Sequence, residues 1–329
     1  MRTLIRVALC VLVTFAIASL VKPGLAQTWP SRPITLVVPF AAGSSSDTAA
    51  RILSVGMSEA LGQQMIVENV GGAAGTIGTV RVARAVPDGY QVLFGTVDTM
   101  AIAPALQKKP PYDSVNDFTP AGMAVEQPVV LIARKDLPVI TLQEFTAYAK
   151  ANSTKMQFGS AGVGSGSHFS CAKLNLALGI DPIHVPYRSS GLAAQDLLGG
   201  QLDFICALGG TAMGPVESGQ ARAISLLTAE RSALFPNLAT SKEQEVAGVD
   251  SYFWTGFFFP KNTPEAIVQR FSDASSRTLA SPSSVERLRK AGIDPIAADR
   301  QSPAYLQKFL PAEMTSWAAQ VKTIGIPLQ

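Results

Sequence analysis

Two stretches of this chain combine small residues, hydroxyls and a following helix start, and those are the residue types from which a ligand site can be built without charged side chains. The first reads Phe40-Ala41-Ala42-Gly43-Ser44-Ser45-Ser46-Asp47-Thr48, directly behind the apolar run 34–40. The second reads Gly159-Ser160-Ala161-Gly162-Val163-Gly164-Ser165-Gly166-Ser167-His168. Small side chains leave backbone N–H groups uncovered, and a helix starting there adds unpaired donors and the positive end of its dipole. The chemistry this favours is attraction of an anion by main-chain amides and hydroxyls. In the first turn the donors are expected around residues 42–46. Asp47 repels an anion, so its expected part is to fix the loop and hold water, with Ser46 or Asp47 capping the helix. The bland alternatives are a well-capped strand-to-helix turn and a flexible surface loop.

A third turn, Pro186-Tyr187-Arg188-Ser189-Ser190-Gly191, offers a guanidinium for a ligand carboxylate and a ring with a hydroxyl. Arg188 is otherwise simply solvated, as most arginines are. His168 either points into a cleft or serves as a hydrogen-bonding structural residue, and the structural role is the expectation. The run Tyr252, Phe253, Trp254, Phe257, Phe258 and Phe259 is concentrated for a chain of 7% aromatics. Strand alternation would turn Trp254 towards a cleft while its neighbours pack inward.

Several chemistries are missing. No G-x-S-x-G elbow, G-x-x-x-x-G-K-[ST] phosphate loop or G-x-G-x-x-G fingerprint occurs. The two histidines, His168 and His184, do not make a metal site. Glycines 72, 75 and 78 suit close helix packing. A cleft rich in neutral donors and poor in bases is expected to bind rather than react, with no cofactor and no metal.

The elements that must position these turns alternate. Apolar runs at 34–40, 65–69, 91–96, 129–133, 157–159, 183–185, 204–207, 223–227 and 253–259 read as strands, with helix-period segments at 48–61, 142–151, 168–178 and 192–198. Three further helices fill 264–280, 282–291 and 303–323. Such alternation predicts an α/β protein with largely parallel sheets. With no long linker, the crossings between two domains are expected to be ordered strands near 126–133 and 252–259. The boundaries then fall at 27–128 plus 251–329 for one domain and 129–250 for an inserted second, with hinge and ligand cleft between them.

Residues 1–26 read as an export signal: Arg2 and Arg6, an apolar stretch from 7 to 21, and Gly24-Leu25-Ala26 as a cleavage site. The full chain carries a formal +3, which falls to zero once Arg2, Arg6 and Lys22 leave. A neutral chain with 16% charged residues has no electrostatic footprint for nucleic acid. Cys171 and Cys206 remain, and two buried free thiols are the expectation.

Beyond local chemistry, the segments Arg32-Pro-Ile, Val38-Pro-Phe-Ala-Ala-Gly43, Val67-Glu-Asn69, Pro87-Asp-Gly-Tyr90, Pro111-Tyr-Asp113 and Asp117-Phe118 resemble the Bug-type solute-binding proteins. So do Ser160-Ala-Gly162, Ser167-His168, His184-Val-Pro-Tyr187, Asp196-Leu-Leu-Gly-Gly-Gln-Leu-Asp203 and Thr263-Pro264. That family supplies the extracytoplasmic receptors of tripartite tricarboxylate transporters, and the match runs in order along nearly the whole mature chain. The resemblance implies a two-domain type II periplasmic binding protein, a "Venus flytrap", that is not an enzyme and holds a small carboxylate through its first and second turns. Carried over, the site is the turn from Phe40 to Thr48 and the turn from Ser160 to His168, with Thr96, Tyr187 and Asp203 as secondary candidates. The implied partners are a small carboxylate and membrane permease subunits, the receptor being a periplasmic monomer. A membrane sensor in place of the permease, and an exported hydrolase using His168, are the alternatives. The hydroxyl-rich Gly43-Ser44-Ser45-Ser46-Asp47 and Arg188-Ser189-Ser190-Gly191 depart from the family pattern. They point to a second carboxylate on the ligand, or to a ring-bearing ligand against Trp254.

Overall fold

The structure, a computed structural model, describes residues 29–325, so the export segment expected at 1–26 lies outside the described residues. Its first half begins with β1 (Ile34–Val38), whose apolar residues are buried among both neighbours, β2 (Met65–Asn69) and β3 (Gln91–Thr96), each parallel to it. Between β1 and β2 runs α1 (Ser45–Leu61). Its Ala49, Leu53, Met57 and Leu61 recur at four-residue spacing and face the core, and Gly62 ends it in the left-handed region at φ 71°. The connection to β3 carries α2 (Thr76–Ala83), where Gly78 lets the helix approach Pro39 and Val70.

β4 (Phe118–Arg134) then crosses the molecule. Over residues 118–128 it pairs antiparallel with β9 (Tyr252–Pro260), and from Val129 it pairs with β7 (Phe204–Leu208) and, from Val130, with β8 (Ala221–Leu226). In the second half come α3 (Leu142–Asn152), β5 (Gln157–Ser160), α4 (Gly166–Leu178), β6 (Ile183–Pro186), α5 (Ser190–Leu198) and α6 (Gly209–Glu217). After β9 the chain closes with α7 (Glu265–Ala280), α8 (Pro282–Lys290), the short β10 (Asp294–Pro295) and α9 (Pro303–Ile324). Among the described residues the strand order is β2-β1-β3-β9-β4-β7-β5-β6, with β8 and β10 also on β4.

The α/β architecture is as the sequence implied, but the sheets are mixed rather than largely parallel. Among the strands described, parallel pairing is confined to β2-β1-β3 and β6-β5-β7, and every pair made by β4 or β9 is antiparallel. Residues 118–125 of β4 do not read as strand in the sequence because Pro120 and Gly122 interrupt them. The ladder absorbs both at a register shift, the usual place for such residues.

Rings fill the core where β3, β9 and α7 meet: Phe257 and Phe259 each lie edge-on to Phe271, at 5.1 and 5.0 Å between centroids. α9 reaches over both halves, since Trp317 packs on Phe169 of α4 at 4.8 Å and on Phe253 of β9 at 5.9 Å.

The cysteines correct an expectation. Cys171 of α4 and Cys206 of β7 are disulfide-bonded, with Cα atoms 5.4 Å apart. α4 packs directly over β7, and a separation of 35 residues gives no hint of that juxtaposition.

Candidate ligand-binding cavity

Four helices point their N-termini at one cavity. Its wall includes Ser44, Ser45 and Ser46 at the start of α1, Ser167 in the first turn of α4, Ser190 opening α5, and Leu208, the residue before α6. Phe40, Thr96, Asp98, Gln127, Ala161, Phe253, Trp254 and Thr255 complete it, around about 460 Å³ of empty space including the mouth. Among the described residues no lysine, arginine or histidine lines it. An anion there would be held by oriented N–H groups, hydroxyls and helix dipoles.

The first turn is rigid because Asp47 holds it from behind. Its carboxylate accepts from the Gly43 amide at 3.0 Å and pairs with Arg51 at 2.9 Å. Burial works to raise the Asp47 pKa, but bonds from Arg51, Gly43 and Asn69 outweigh it and hold the group below the usual carboxylate range. The helix cap lies two or three positions earlier than expected. Ser44, not Ser46 or Asp47, has extended φ/ψ and accepts from the Asp47 amide at 3.2 Å. That frees Ser45 and Ser46 to face the cavity. Ala42 and Gly43 are exposed, and Thr48 turns its hydroxyl back to the Ser44 carbonyl.

In the second turn Ser167 and Ala161 line the cavity, while the rest builds the turn. Ser165 caps α4, accepting from the His168 amide at 3.3 Å and donating to the Gly162 carbonyl at 2.7 Å. Ser160 shares a 2.7 Å hydrogen bond with Nε2 of His184. His168 lies outside the lining. Its Nδ1 accepts from the Gly164 amide at 3.2 Å, and its ring stacks on His184 at 4.0 Å. Burial, with the neighbouring His184, lowers its pKa to about 4, so at neutral pH it is an uncharged structural ring. Gly164 packs against Leu106, and Gly166 against Phe253 and Asp98.

The secondary candidates separate. Thr96 and Trp254 line the cavity, but Trp254 turns its indole N–H away to Glu313 at 2.9 Å, presenting only ring. Glu313 also accepts from Trp317 at 3.1 Å. Tyr187 donates its hydroxyl to Asp196 at 2.6 Å, Arg188 is exposed, and Asp203 pairs with Arg134 at 3.0 Å while accepting from the Gln157 amide at 2.7 Å. These three are not in the lining.

Sequence reasoning missed Asp98, Gln127, Leu208, Phe253 and Thr255, whereas Ser190 lies in the third turn whose extra hydroxyls it expected at the cleft. Asp98 and Leu208 lie at the C-terminal ends of β3 and β7, the end at which α/β sheets gather ligands. Phe253 was placed in the core by strand alternation, yet its ring reaches Gly166 and borders the cavity beside Trp254. Gln127 is buried on β4, and its Oε1 accepts from both the Ser45 hydroxyl and the Gly210 amide, the latter at 3.0 Å. One side chain thus joins α1 to α6 across the cavity.

The model of the tripartite tricarboxylate transporter family receptor matches residues 49–326. The chain belongs to that family. It is similar to the periplasmic binding protein BugD, at 36% identity and TM-score 0.88 over 92% of this chain and 100% of the other. It also resembles MatC from Rhodopseudomonas palustris, solved with bound malate, at 36% identity and TM-score 0.85 over 89% and 100% of the two chains. A further R. palustris protein, solved with adipate, has 30% identity and TM-score 0.87 over 91% and 99%. This tripartite tricarboxylate transporter family receptor is therefore a periplasmic-type solute-binding protein. The motif resemblance in its sequence pointed to the same family.

Proposed function

We propose that this receptor captures a small organic carboxylate in the cavity and presents it to the membrane permease of a tripartite transporter. The observation that carries this reading is the meeting of four helix N-termini around a space with no cationic side chain. Binding of malate and adipate by the two R. palustris proteins supports the ligand class. Of the described residues, 29–128 plus 251–325 form one lobe and 129–250 the other in this reading, with the hinge where β4 passes from β9 to β7 between Pro128 and Val129 and where β9 begins at Tyr252. Capture without turnover fits the half-buried, stacked His168. The Cys171–Cys206 bond suits an oxidising compartment such as the periplasm.

A thermal-shift screen of the mature chain against mono-, di-, tri- and aromatic carboxylates tests the reading. At least one class should stabilise the protein, with binding at micromolar level, on the order of −8 kcal/mol. Ser46→Leu, which fills the cavity wall away from the caps, should abolish that shift while leaving the ligand-free melting temperature nearly unchanged. A screen in which no carboxylate raises the melting temperature rejects the proposal.

A further inference from the structure

Among the described residues Asp98 is the one acidic side chain in the cavity wall. It lies two residues past the end of β3 and is 7% exposed, and its Oδ1 makes no hydrogen bond within the protein. It faces the start of α4, where a Cβ on Gly166 would lie 2.5 Å from that oxygen. No cation answers it. Asp47 on α1 is engaged by Arg51, Glu126 on β4 by Arg300, and Glu313 on α9 by two indoles. His168 on α4 is stacked on His184, and Arg188, beyond β6, is exposed. A buried carboxylate with an open acceptor and no counter-charge is costly unless something supplies a donor.

Resting on the carboxylate-capture reading above, we propose that Asp98 determines specificity, selecting a ligand that carries an amine beside its carboxylate. The ligand carboxylate goes to the amides and hydroxyls of α1, and the ammonium pairs with Asp98. That arrangement leaves each buried charge partnered. A second carboxylate on the ligand would instead meet Asp98 as a like charge, which reverses the expectation drawn from the extra serines. Burial, partly opposed by the Gly166 amide, lifts the Asp98 pKa to about 7. An amine ligand binds the ionised form and gains affinity as pH rises through 7, whereas a diacid binds the neutral form and gains as pH falls.

Isothermal titration of the mature chain with succinate, malate, aspartate and 4-aminobutanoate, at pH 6 and pH 8, tests this. At pH 8 the better amine-bearing compound should bind at least about tenfold more tightly than the better of succinate and malate. Asp98→Asn, which keeps the shape, should reverse that order and flatten its pH dependence, and Asp98→Ser provides a second variant if the first folds poorly. If carboxylates bind but the amine-to-diacid ratio is the same in the native chain and the variants, the selection by Asp98 is wrong and the capture reading stands. If none of the four, and no compound of the wider screen, binds, both are wrong.

Discussion

Gly191, the second residue of α5, stands against Gly43 of the first turn: a Cβ on Gly191 would lie 2.6 Å from the Gly43 carbonyl oxygen. Contacts across the cavity repeat this pattern. Gly209 meets Gly292, Gly210 meets Ser45, and Gly166 meets Phe253. At each of these points the second half brings a residue with no side chain against the first.

Gly191→Ala should therefore hinder closure without harming the fold, because residue 191 is helical and alanine suits a helix better than glycine by about 0.5–1 kcal/mol. The expected result is an unchanged or slightly higher melting temperature for the free protein and affinity weakened by about tenfold or more. Calorimetric titration beside thermal unfolding checks it. Native affinity in the variant would mean that this contact is not part of the bound form.

Gln127→Leu removes the acceptor shared by Ser45 and Gly210 and leaves the Gly210 amide unpaired. A loss of about 1–3 kcal/mol in unfolding free energy, with weaker ligand binding, is expected. Urea unfolding followed by titration measures both, and a change in neither would show that the bridge is incidental.

His168 and His184 both have pKa values lowered to about 4, first by burial, against 6.5 in the unfolded chain. The fold thus favours their neutral forms. Their contribution is complete above about pH 6.5, declines as pH falls, and is gone below about 4. His184→Phe, which keeps a ring against His168, should flatten the slope of stability between pH 6.5 and 4. An identical slope in the variant would place the pH dependence elsewhere.

Reduction of Cys171–Cys206, or its replacement by two serines, should lower stability by about 3–4 kcal/mol, given the loop of 35 residues it closes. Thiol titration of the folded protein should find neither sulfur reactive. Two free thiols in freshly purified, unreduced protein would contradict the bond.

The turns were legible because their signals are local: strand, small residues, hydroxyl cap, helix. Ser45, Ser46 and Ser167 reached the cavity wall from such signals alone. Asp203 and Tyr187 carried the family pattern yet turned to Arg134 and Asp196, partners that only folding brings near. Asp98 and Gln127 had no motif around them, and their place depends on which strand ends converge. α6 escaped notice because Gly209, Gly210, Gly214 and Pro215 look like loop, although Gly209 and Gly210 permit close approach and the helix tolerates the proline in its last turns.

Glu313 binds the indoles of both Trp254, at the ligand space, and Trp317, wedged between Phe169 and Phe253. Two of the chain's three tryptophans thus share a single carboxylate beside the place a guest would enter. Arrival of that guest must alter the surroundings of one fluorophore directly and of the other through their common anchor. Intrinsic emission can then follow loading in real time, with no dye attached.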